Sequence, residues 1–293
     1  MQATRSLLFV PANRQKMLEK SIALPADALI FDLEDTVPPA EKPTARAMVK
    51  ENLPKVPGRR VWVRVNSLES GFLMDDLDAL VGTEGLAGFL LPKASDPADI
   101  VKIDQAIAKL EKERGAPADS HELLLLIENA RGVLFCFQIA SAAKRVASVV
   151  LGCAEDADLC QDLGCAWSID GPEIAYARGH TLVAARAAGI AYPLDGVFAN
   201  IKDPEGFERE TVMSRRIGYK GRTVIHPSQV EAANRIYAPT NAEVDYFSRV
   251  LQAFATAVAQ GSASTTVDGK LIDEAMAGQA RRMLAWAEAV KNR

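Results

Sequence analysis

The chain is 293 residues long, 48% hydrophobic and 25% charged, with a formal net charge of −4. That composition excludes a disordered or low-complexity protein. The weak acidic balance gives no global reason to expect nucleic acid or an anionic membrane as partner.

Residues 1–10 carry one Arg and an apolar run too short for a signal-peptide core, and no later stretch reaches the length of a membrane span. A cytoplasmic protein is the expectation. From there, apolar runs that end in a polar residue and give way to a helical pattern predict strands over residues 7–10, 28–33, 61–65, 88–91, 123–127, 149–151, 196–199 and 223–225. Amphipathic helices are predicted between them, among others over 14–23, 98–114, 132–143 and 172–188. About eight βα units is the count of a TIM (β/α)₈ barrel. An open doubly wound sheet is the alternative, but no G-x-G-x-x-G or Walker sequence occurs.

Residues 1–230 are assigned to the barrel and 231–293 to a C-terminal helical extension or lid. Within the extension the pattern predicts helices over 231–237 and 243–260, a flexible polar linker over 261–266, a short hairpin over 267–273 and a last helix over 275–291. The cysteines Cys136, Cys153, Cys160 and Cys165 contain no C-x-x-C spacing and are read as small buried thiols.

Two runs organise the chemistry. Leu123 to Ile127 is unbroken and apolar and ends in Glu128; Val149 to Leu151 leads into Glu155 and Asp156. Runs of that kind read as parallel strands buried on both faces. Their carboxyl ends would bring Glu128 and Asp156 together, and gathered carboxylate oxygens suit a hard cation such as Mg²⁺. Alternatives stay open: Glu128 in a buried ion pair with Arg64, and Asp156 as a helix N-cap. Barrel active sites form at the carboxyl ends of the strands. The polar residues there include Asp32, Glu34, Asp35, Arg64, Lys93, Asn200 and His226. Arg64 on a core strand calls for carboxylates or a substrate anion, and Glu34 and Asp35 are its expected orienters. His226 is readable as a general base or as a turn residue before Pro227.

Taken in order, Arg5 to Asn13, Asp32 to Asp35, Leu90 to Lys93, Glu128-Asn129-Ala130, Gly152 to Asp156, Ile225 to Gln229 and Asp268 to Asp273 resemble the citrate lyase β-subunit-like family, which includes malyl-CoA and citramalyl-CoA lyases within the HpcH/HpaI aldolase superfamily. One departure is Asn129, where Glu-Thr-Ala is more usual. The resemblance implies a barrel, Mg²⁺ held by Glu128 and Asp156, an acyl-CoA or acyl-carrier thioester as small-molecule substrate, and assembly as a homotrimer or hexamer. It further implies Arg64 as the substrate-contacting arginine and Asp273 as a mobile acid supplied by the tail of an adjacent subunit. For the CoA phosphates the expected contacts are Arg14, Lys16, Lys42 and Arg46, from the first two βα loops. The implied activity is Mg²⁺-dependent cleavage of a malyl-, citramalyl- or citryl-CoA type substrate into acetyl-CoA and a 2-oxo acid. The alternatives are a class II aldolase acting on free 2-oxo acids, or a citrate lyase β-type subunit active only within a complex.

Overall fold

Eight parallel strands close into a barrel in the order in which they occur in the chain. They are β1 (Ser6–Pro11), β2 (Ala28–Asp32), β3 (Arg60–Arg64), β4 (Leu86–Leu91), β5 (Glu122–Ile127), β6 (Val146–Leu151), β7 (Leu194–Asp195) and β8 (Gly221–Val224). The helices that alternate with them are α1 (Gln15–Ser21), α2 (Lys42–Asn52), α3 (Leu73–Leu80), α4 (Pro97–Glu113), α5 (Ala130–Leu134), α6 (Cys136–Ala140), α7 (Asp158–Leu163), α8 (Ala175–Ala187), α9 (Pro204–Ile217) and α10 (Val230–Tyr237). The computed structural model describes residues 2–291. It divides into two compact units, Ala3–Arg235 and a second that starts at Ile236.

Period-two alternation fills the barrel. Leu7, Ala28, Ile30, Trp62, Leu90 and Leu124 pack into one interior cluster with Leu126, Val150 and Leu194. Helix starts are written in the sequence: Asp96 and Asp203 each precede a proline and accept a backbone N–H, from Ala98 (2.9 Å) and Gly206 (2.9 Å). At the amino-terminal end, Glu111 accepts from the His121 backbone N–H at 3.0 Å, and its carboxylate lies 3.2 Å from Arg145 Nη2, all three side chains buried.

The seventh strand corrects the expectation of 196–199. Its ladder holds only Leu194 and Asp195, and residues 196–200 are irregular. Side chains take up the backbone groups there instead. Arg222 donates twice to the Gly196 carbonyl (Nε 3.1 Å, Nη2 2.8 Å), Asp195 Oδ1 accepts from Gly196 N, and Gln229 Nε2 donates to the Phe198 carbonyl. Gly196 runs so close to β6 that a Cβ on it would lie 2.2 Å from the Leu151 carbonyl oxygen. The helix expected over 132–143 is also two pieces, α5 and α6, jointed at Phe135.

In the second unit, α11 (Asn241–Ala259), the antiparallel pair β9 (Thr265–Val267) and β10 (Lys270–Ile272), and α12 (Glu274–Lys291) share a core of Phe247, Val250, Phe254, Val267, Ile272, Ala277 and Ala280. Asp268 and Gly269, both at positive φ (49° and 76°), make the hairpin's two-residue turn. The expected linker over 261–266 is thereby shortened, because Thr265 and Thr266 pair with Ile272 and Leu271. No helix of the described residues is long and apolar enough to cross a membrane.

Candidate active site

The alternation that fills the barrel also builds its mouth. Ile30, Trp62, Leu126, Val150 and Leu194 belong to the apolar interior, and two residues further along the same face stand Asp32, Arg64, Glu128, Gly152 and Gly196. A cavity of about 250 Å³ opens over this layer.

Arg64 is its fixed point. Nε and Nη2 bind the two oxygens of the fully buried Asp32 at 2.7 and 2.6 Å, the fork-on-fork pairing that suits a guanidinium. Nη1 lies 3.0 Å from Glu34 and 3.3 Å from Asp35, and the guanidinium sits 4.9 Å from the centre of the Phe9 ring. Sequence reasoning assigned the orienting role to Glu34 and Asp35. The bidentate partner is Asp32, itself held by the Glu34 N–H and the Thr36 hydroxyl. Its signal was available: Asp32 is two residues beyond the inward-facing Ile30.

Burial raises the Asp32 carboxyl, but the charge and hydrogen bonds of Arg64 outweigh it and hold the group below the usual range. Glu34 and Glu128 go the other way. Burial pushes Glu34 up to about 8; Arg64 opposes the shift and the carboxylates of Asp35, Glu128 and Asp32 reinforce it. Glu128 is pushed up to about 7, again first by burial, with the Lys93 N–H and Arg64 opposing. One Glu34 oxygen lies at ion-pair distance from Arg64 yet is buried without a hydrogen bond of its own. The mouth therefore holds more carboxylate than its arginine can compensate.

Glu128 extends β5 by one residue, and its Oε1 accepts from the Lys93 N–H at 2.8 Å, with Lys93 at φ 54°. Ion pairs of Arg64 run to Asp32, Glu34 and Asp35, so the pairing of Glu128 with Arg64 considered above is not the arrangement found. Beyond β6, Asp156 stands exposed on the loop before α7 at φ 57°. Ala157, not Asp156, occupies the N-cap position of α7. Among the described residues no three His, Cys, Asp or Glu side chains are already gathered as a metal cage. Glu128 lines the cavity and Asp156 does not; oxygen ligands still suit Mg²⁺, which is bound through one or two carboxylates and fills its remaining positions with water and substrate. Asp158, which sequence reasoning passed over, lines the cavity and pairs with Lys93 at 3.5 Å. Asn129, the departure noted above, caps α5 by accepting from Gly132 N at 2.7 Å, a role Thr also fills, less strongly.

The four cations expected at the CoA phosphates divide. Arg14 and Lys16 are exposed where β1 passes into α1. Lys42 is buried, with Nζ donating to the carbonyls of Leu33 (2.8 Å) and Glu34 (3.1 Å). Arg46 is buried against Asp76 (2.7 Å) and the Phe72 carbonyl. Both are thus corrected from ligand candidates to struts inside the fold, Lys42 holding the Glu34 loop and Arg46 tying α2 to α3. His226 is exposed and caps the turn that follows it, accepting from Ser228 N. In the second unit Asp273 is exposed, and its Oδ1 accepts from Met276 N (3.1 Å) at the start of α12.

The family described as HpcH/HpaI aldolase/citrate lyase matches residues 5–227. The citrate lyase subunit beta of Leuconostoc mesenteroides is 37% identical over 287 residues, covering 97% of this chain and 93% of that one. A (3S)-malyl-CoA thioesterase of Cereibacter sphaeroides is 37% identical over 288 residues, covering 98% and 95%. The crystal structure of CitE from Mycobacterium tuberculosis, in complex with magnesium, acetoacetate and coenzyme A, superposes with a TM-score of 0.77 at 28% identity and covers 98% of both chains. With the barrel closed, the acid-rich mouth in place and relatives matched over nearly their full length, the chain belongs to the HpcH/HpaI aldolase/citrate lyase family of lyases.

Proposed function

We propose that this enzyme is a Mg²⁺-dependent carbon–carbon lyase that cleaves a 3-hydroxyacyl-CoA of the malyl, citramalyl or citryl type into acetyl-CoA and a 2-oxo acid. The observation that carries the reading is a half-buried arginine, locked by the buried Asp32, sharing one inward layer with the half-buried Glu128. A CitE relative was crystallised with magnesium, acetoacetate and coenzyme A, which supports the same ligand class here.

Glu128 and Asp156 would hold the metal, which when bound supplies a Lewis acid and a template for the substrate's carboxylate and hydroxyl oxygens. The residues do the rest. A carboxylate of the mouth takes the hydroxyl proton, the C2–C3 bond breaks, and its electron pair passes to the thioester as an enolate. Arg64, fixed in advance by Asp32, Glu34 and Asp35, faces the developing oxyanion without having to reorganise. Asp273, offered by the tail of a neighbouring subunit in a trimer or hexamer, protonates the enolate carbon to give acetyl-CoA. Arg14 and Lys16 remain the candidates for the CoA phosphates.

The test compares malyl-, citramalyl- and citryl-CoA with the corresponding free hydroxy acids. Cleavage of a thioester but not of its free acid by the purified chain is the expected result. Cleavage of the free acids alone would identify an aldolase, and thioester cleavage only after addition of partner subunits would identify a complex-bound subunit.

A further inference from the structure

The mouth is two-sided, and the sides follow strand order. Asp32, Asp35, Arg64, Glu128 and Asp158 enter the cavity from the ends of β2, β3 and β5, the loop after β2 and the start of α7. The remaining arc, β7–β8–β1, contributes Gly196, Val197, Thr223, Ile225 and Phe9, all uncharged. The Thr223 hydroxyl turns to the Asp195 carbonyl at 3.5 Å.

A cation does sit on this arc, one register position away. Arg222 lies between the cavity residue Thr223 and Gly221, so alternation turns it to the outer side of the barrel. There it is fully buried against Glu210 (2.9 Å), Thr211 (2.7 Å) and the Gly196 carbonyl. Lys93, at the rim on the charged side, is taken by Asp158. Among the described residues that line the cavity, Arg64 is the one base, and Asp32, Glu34 and Asp35 already surround it.

We infer that the uncharged β7–β8–β1 arc restricts the fourth substituent on the substrate's carbinol carbon, beside its hydroxyl, carboxylate and thioester arm, to hydrogen or a small alkyl group, and that Val197 is the residue that sets this limit. The inference rests on the lyase reading above for the orientation of the substrate. With the carboxylate, hydroxyl and thioester oxygen drawn to the charged side, the remaining substituent faces Val197 and Ile225. A methyl group gains apolar contact there. A carboxymethyl group would bring a charge that finds no cation and loses its water, so selection against it comes from the missing counter-charge.

Two measurements test this together. Calorimetry in Mg²⁺ compares binding of glyoxylate, pyruvate and oxaloacetate, the three possible 2-oxo acid products, and steady-state kinetics compares malyl-, citramalyl- and citryl-CoA. Pyruvate is expected to bind at least about tenfold more tightly than oxaloacetate, and citramalyl-CoA to exceed citryl-CoA in kcat/KM by about a hundredfold. Val197→Lys, which places an ammonium on the arc, is expected to narrow both ratios at least about tenfold. Oxaloacetate binding as tightly as pyruvate, or ratios unmoved by Val197→Lys, overturns the inference even if thioesters are cleaved. Pyruvate selectivity without cleavage of any thioester overturns the lyase reading and leaves the sidedness standing; no binding of any 2-oxo acid overturns both.

Discussion

Gly152→Ala probes the mouth from behind its proposed metal ligand. Gly152 continues β6, with its N–H bonded to the Ile127 carbonyl at 2.8 Å, and it is not among the positive-φ glycines, so alanine imposes no backbone strain of that kind. Its new Cβ would lie 2.9 Å from Glu128 Cβ, 3.3 Å from Glu128 Oε2 and 3.3 Å from Leu126 Cδ1, where ordinary contacts begin at 3.4 Å. Glu128 must therefore retreat by roughly 0.5 Å, and the Lys93 N–H bond on its other oxygen resists that shift. A displacement of about 1 Å can cost about a hundredfold in rate, and disturbed support of a metal ligand typically costs about 10–100-fold in affinity. The expected outcome is a Mg²⁺ affinity weakened at least about tenfold, with an overpacking cost of about 1–3 kcal/mol in stability. Titration calorimetry with Mg²⁺, run beside a thermal melt, reads both. Wild-type Mg²⁺ affinity in a folded Gly152→Ala protein would refute the placement of Glu128 at the metal.

Three further outcomes follow from the same geometry. Arg64→Lys keeps the charge but loses the two-pronged grip on Asp32, so kcat should fall about 10²–10³-fold while Mg²⁺ binding stays within about twofold; kinetics and calorimetry on one preparation check this. Asp273→Asn should lower acetyl-CoA formation about 10²-fold or more, and full activity in that variant would remove Asp273 from the mechanism. Glu111 gives a pH signature of stability. Burial raises its carboxyl, but hydrogen bonds from Arg145 and His121 prevail and hold it at about 2, against an ordinary value of 4.5. Because the folded value is depressed, its contribution is present above about 4.5 and is lost as pH falls towards 2. Glu111→Gln should therefore flatten the acid limb in that window, removing a term of about 3 kcal/mol, as read by denaturant unfolding at stepped pH.

How much was legible depended on whether the signal was local. The runs 123–127 and 149–151 lie inside β5 and β6 because a strand buried on both faces must be apolar at every position. Arg64 stood out for the same reason inverted: a charge on a core strand has to be explained. The seventh strand misled because Gly196 to Ala199 is as apolar as a strand, while its backbone partners are side chains of Arg222 and Gln229, tens of residues away. Lys42 and Arg46 looked like phosphate ligands for a similar reason. Whether a helix cation faces solvent or the fold depends here on Asp76 and on the Glu34 carbonyl, which spacing along α2 cannot reveal. The role of Asp32 as the partner of Arg64 was the recoverable miss, since period two from Ile30 already pointed it inward.

The most direct test of the central claim is release of acetyl-CoA from malyl-, citramalyl- and citryl-CoA by the metal-depleted protein, before and after Mg²⁺ is restored, with Glu128→Ala run in parallel. The mouth described here predicts no release without metal, recovery on adding Mg²⁺, and no recovery in Glu128→Ala. Equal release by metal-depleted and Mg²⁺-loaded protein, or by Glu128→Ala, would contradict it.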